Sequence, residues 1–85
     1  MENSKELKLD YPLVWEYKII LEKEHDAKLV GKEVLEDREH SIKKSQDSKK
    51  GKYISHTLKV TVHSDEDRKA IFQALKEHLK IKFVL

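Results

Sequence analysis

Cysteine is absent from this 85-residue chain, so neither a disulfide nor a thiolate-held metal can staple it. No stretch approaches the ~20 apolar residues of a membrane span. The polar opening Met1-Glu2-Asn3-Ser4-Lys5-Glu6 has no apolar h-region behind it, and a cytoplasmic location is the expectation. An excess of either charge is missing too. The 18 Lys and Arg against 16 Asp and Glu give +2, too slight a balance to imply nucleic acid. A chain this short leaves about 40% of its unfolded surface exposed, so its stability rests on one well-packed layer interface.

Two β-rich segments are present, Trp15 to Leu21 and Tyr53 to Val62. In the first, Trp15, Tyr17, Ile19 and Leu21 alternate with Glu16, Lys18, Ile20 and Glu22, the pattern of a half-buried strand. In the second, Ile54, His56, Leu58, Val60 and Val62 form the face expected to meet the helices. Asp26 can cap a helix on which Ala27, Val30, Val34 and Leu35 share one face down to about Asp37. Gly31 interrupts it, at a cost of ~1 kcal/mol relative to alanine, unless close packing against the sheet requires it. Residues 38–47 hold one aliphatic side chain, Ile42, and read as an edge strand.

Ser64 followed by Asp67 resembles a capping box, with Asp65 and Glu66 complementing the helix dipole. In the helix that follows, Ile71, Phe72, Leu75, His78 and Leu79 fall within one arc. Ile81, Phe83 and Leu85 complete a closing strand. The order βαββαβ, with right-handed crossovers, predicts an α+β, ferredoxin-like fold: a four-stranded antiparallel sheet with two helices on one face. The first and third strands lie at its centre. Residues 1–10 are expected to form a flexible tail before a single domain over 11–85.

Tyr11-Pro12, Trp15-Glu16-Tyr17-Lys18, Lys50-Gly51-Lys52-Tyr53-Ile54-Ser55 and Phe83-Val84-Leu85 resemble the YbeD-like family of small bacterial proteins. That resemblance implies an ACT-like version of the same fold and a bacterial cytosolic setting. It carries over no catalytic residue and no cofactor, and only a fold-level analogy with metabolite-sensing ACT domains suggests regulation.

The chemistries this topology can host are mostly unsupported. Copper-chaperone function needs paired cysteines where the chain has Glu22-Lys23-Glu24-His25-Asp26. Acylphosphatase-like chemistry needs a glycine-rich anion cradle with an arginine, and this acidic loop repels phosphate. RNA-recognition domains stack bases on aromatics of the bare sheet face, where Tyr53 is the only aromatic expected. The five histidines match no established metal-ligand spacing, so no metal is expected. His56 and His78 are instead placed at the sheet–helix interface. Ser41, Ser55 and Ser64 have histidines nearby in sequence, but a cap and strand positions account for them better than nucleophilic roles.

The expected function is a non-enzymatic regulatory or adaptor module binding a protein partner or small metabolite, acting as a monomer or homodimer. Ile20, Tyr53 and Val84 are expected on its exposed sheet face. The alternative is weak nucleic-acid binding through a basic hairpin of Lys43, Lys44, Lys49, Lys50 and Lys52. Lysines also protect edge strands from aggregation, and that plainer reading is preferred.

Overall fold

The computed structural model describes residues 9–47 and 51–85. Most of the expected tail, together with Lys49 and Lys50, lies outside the described residues. The order is β1 (Leu13–Glu22), α1 (Ala27–Leu35), β2 (His40–Asp47), β3 (Tyr53–Val62), α2 (Asp65–Glu77) and β4 (Ile81–Val84). The strands form one antiparallel sheet ordered β2-β3-β1-β4, so the two most apolar strands take the centre. Tyr17, Ile19 and Leu21 of β1 and Leu58, Val60 and Val62 of β3 are buried with Ala27, Val30 and Leu35 of α1 and Ile71 and Leu75 of α2. This is the α+β arrangement expected from the alternation.

Both helices start where side-chain oxygens can accept their first N–H groups. Asp26 Oδ1 accepts from Lys28 and Leu29 at 3.0 and 3.4 Å, and Ser64 Oγ from Asp67 at 3.0 Å. Asp67 Oδ2 in turn accepts the His63 N–H at 3.0 Å. Its two oxygens also take both guanidinium nitrogens of Arg38 at 2.9 Å, tying the segment before β2 to the start of α2. Tyr11 donates to Asp65, and Arg68 stacks 4.8 Å from the Trp15 ring centroid. The Tyr11-Pro12 peptide is cis.

Gly31 has a packing reason. A Cβ there would lie 2.5 Å from Ile42 Cδ1 and 3.3 Å from His40 Nε2, because α1 crosses tightly over β2. Helix α2 ends at Glu77, so Leu79, expected on its buried arc, lies beyond it and is fully exposed. His78, expected as a hydrogen-bonded or partly exposed boundary residue, is half-buried and hydrogen-bonded between the two helices. Its Nε2 lies 2.7 Å from Glu33 Oε1, and its Nδ1 accepts the Lys80 N–H at 3.1 Å. It thus joins the C-terminus of α2 to α1.

The closing strand departs most from simple alternation. Ile81 opposes Leu21, Phe83 opposes Ile20 and Val84 opposes Ile19, with a bulge in register between Ile20 and Leu21. Lys82 is therefore an extra residue that shifts the phase of everything after it. Val84 joins the core face, partly buried, and is not on the bare face where alternation put it. Phe83 takes that place and is 64% exposed.

Candidate functional site

The uncovered face of the sheet can be assigned row by row, because directly opposed residues point the same way. Ser41, Lys59 and Glu16 make one row; Lys43, Thr57 and Lys18 the next; Ser55, Ile20 and Phe83 another; Tyr53 and Glu22 the last. Lys59 pairs with Glu16 at 3.7 Å, a well-solvated contact of small value. Ile20 and Tyr53 thus lie where expected, both partly buried. Phe83 adds a second aromatic to a face on which alternation showed only Tyr53.

Among the described residues, the lysines of the hairpin divide between the two faces of the sheet. Lys43 opposes Thr57 on the bare face, whereas Lys44 opposes buried His56 on the helix face, since neighbouring strand residues point to opposite sides. His56 itself is buried where expected, at 8% exposure. Desolvation, reinforced by the charge of Lys44, lowers its pKa from 6.5.

Among the described residues, Glu22, Glu24 and His25 are the one group of His and carboxylate side chains close enough to share a cation, their ligand atoms lying within 4.8 Å of one another. The sequence pairs His25 with Glu24 and Asp26, but Asp26 turns away to cap α1. His25 Nε2 is already 3.6 Å from Glu22 Oε1. An open hollow of about 690 Å³ beside this loop is lined by Glu22, Lys23, Glu24, Gly51 and Lys52. Its opposed charges leave it without a net sign.

Apolar surface gathers instead along the flank formed by α2 and β4. Two shallow hollows lie there on either side of Phe72. One, of about 280 Å³, is lined by Phe72, Lys76, Ile81, Lys82, Phe83 and Val84. The other, of about 400 Å³, lies between Trp15, Tyr17, Arg68, Lys69, Phe72 and Leu85, with Glu16 at its margin. Lys76 Nζ sits 5.6 Å from the Phe72 ring centroid, a cation–π contact at the lip. Leu85, 74% exposed, stands beside Phe83. The Tyr17 hydroxyl donates to the Arg68 carbonyl at 2.6 Å, and burial pushes its pKa up to about 12, so it serves as a neutral brace beneath this flank. Sequence reasoning missed Phe72 and Phe83 as surface residues. It counted both as core, because helical and strand periodicity gives no warning of a thin edge or a bulge. Among the described residues, no helix is long and apolar enough to cross a membrane.

The chain is 44% identical over 82 residues to "Uncharacterized protein Cj0253" of Campylobacter jejuni, covering 96% of this chain and 92% of that protein. A solution structure of the Helicobacter pylori protein HP0495 superposes with a TM-score of 0.84 at 28% identity, covering 98% of this chain and 91% of the other. A second solution structure of HP0495 has a TM-score of 0.66 at 24% identity, over 98% and 96% of the two chains, a likeness of fold. Residues 6–85 match the family described as "Protein of unknown function (DUF493)", and the chain belongs to this DUF493 family of small bacterial, YbeD-like proteins.

Proposed function

We propose that this domain is a non-enzymatic regulatory or adaptor module of the bacterial cytoplasm that binds a protein partner along the α2–β4 flank. The observation that carries the reading is the concentration of Phe72, Phe83 and Leu85 beside a sheet edge that no described strand covers. Clustered exposed apolar side chains next to unpaired strand edges mark association surfaces. The flank holds a cation over a ring, apolar walls and a braced tyrosine, with no nucleophile and base in contact. Those parts suit docking better than bond-making.

The test compares two baits in a bacterial lysate, the native chain and a Phe72→Asp/Phe83→Asp variant shown to be folded by circular dichroism. A protein retained by the first and lost from the second is the expected result. Equal retention on both baits overturns the assignment of the flank.

A further inference from the structure

We propose that the occupant of this flank is an extended segment of a partner protein that alternates acidic and apolar residues and adds as a fifth strand outside β4. This deepens the reading above and rests on it. Lys18 and Leu85 exchange both backbone hydrogen bonds, N to O, at 3.0 and 2.8 Å, which makes them a hydrogen-bonded pair. The antiparallel alternation then turns the N–H and C=O of Val84 away from β1, toward the open side. Among the described residues no strand lies there, so a ready template for strand addition is exposed.

The side chains around that template specify the occupant. In the hollow beside β4 the only charged residues are Lys76 and Lys82, and neither has a carboxylate in ion-pair contact among the described residues. Lys69 extends the positive margin past Phe72, where Arg68 is already paired with Asp65 at 3.5 Å and Glu16 with Lys59 at 3.7 Å. A strand laid along β4 sends alternate side chains to opposite faces. Carboxylates on the α2 side can reach Lys76 and Lys82 at the hollow, and the apolar residues between them meet Phe83 on the other face.

A second copy of this chain fits poorly. Isologous pairing of β4 with itself brings the lysine-bearing hollows of both copies together, and like charges facing one another across a strand pair are destabilising. Because β4 has four residues, few backbone bonds are on offer. The charges therefore carry much of the selectivity and make it salt-sensitive.

The probe is a short end-blocked peptide alternating valine with glutamate, titrated into the ¹⁵N-labelled full chain, with the lysine-for-glutamate peptide as control. Expected are amide shifts and slowed exchange at Val84 and its neighbours, weakening with added salt, and no comparable binding of the control. Lys76→Glu/Lys82→Glu should weaken the glutamate peptide on the order of tenfold and gain the lysine peptide. Equal binding of both peptides, shifts confined to the bare face, loss of the shifts to self-association, or no binding at all each overturns the proposal. If a lysate partner still depends on Phe72 and Phe83 while the peptide fails, only the identity of the occupant falls. If no partner depends on them, the flank itself is wrong.

Discussion

At His56 a single side chain sets a pH dependence. Its imidazole lies inside the sheet between the strands bearing Ile19 and Lys44, and burial followed by the Lys44 charge favours the neutral form. Above pH 6.5 the ring is neutral in both the folded and unfolded chain. As the pH falls through 6.5 the unfolded chain takes up a proton first, so stability drops until the lower folded pKa is reached. Urea midpoints at pH 7.5 and 5.5 should therefore differ more for the native chain than for His56→Gln, and parallel losses would contradict this. Glu36 makes a second residue-scale prediction. It closes α1 at φ 57°, a region that favours glycine. Glu36→Gly should stabilise the domain by about 1 kcal/mol in chemical denaturation. The buried place of His56 was legible from period-two alternation. The strained cap was not, because Glu-Asp at 36–37 carries no sequence mark of positive φ.

Between elements, the decisive link is the one from Arg38 to Asp67. Two charge-assisted bonds and a third from Arg38 Nη1 to the Thr61 carbonyl at 3.3 Å fix the approach to β2 against the start of α2. The Arg38 hydrogen bonds hold the Asp67 carboxyl below its ordinary value of 3.8. That contribution is present above the ordinary value and is lost as acid titrates the folded carboxylate. Arg38→Ala should cost about 1–3 kcal/mol and flatten the acid limb of the stability profile measured by thermal melts. Helix α1 offers a steric prediction. Gly31→Leu should cost about 1–3 kcal/mol through overpacking against Ile42, while Gly31→Ala sets a helix gain of ~1 kcal/mol against the same contact and should change the urea midpoint far less. The sequence showed Ser64 as a cap and Gly31 as an anomaly with two explanations. It could not show Arg38 reaching Asp67, because that contact joins residues far apart in the chain.

Across the whole molecule, the buried core and the proposed docking flank lie on different sides. Leu58 is completely buried at the centre, and Leu58→Ala should cost about 2–5 kcal/mol, a large share of what so small a domain holds. Phe83→Ser should leave the unfolding free energy from urea titration within ~0.5 kcal/mol of the native chain while abolishing retention of the proposed partner. Element order and the central strands were readable because apolar alternation over ten residues has one satisfactory solution. The four residues of β4 were too few to reveal a break in phase.

That break gives Lys82 an influence beyond its own side chain. With Lys82 kept but the bulge straightened so that it opposed Ile20, Phe83 would pass under the helices beside Ile19 and Val84 would turn to solvent. Removing Lys82 should by contrast leave Phe83 opposite Ile20 and Val84 opposite Ile19, so a chain one residue shorter here keeps the aromatic handle, while one of equal length without the bulge exchanges a sticky rim for a plain one.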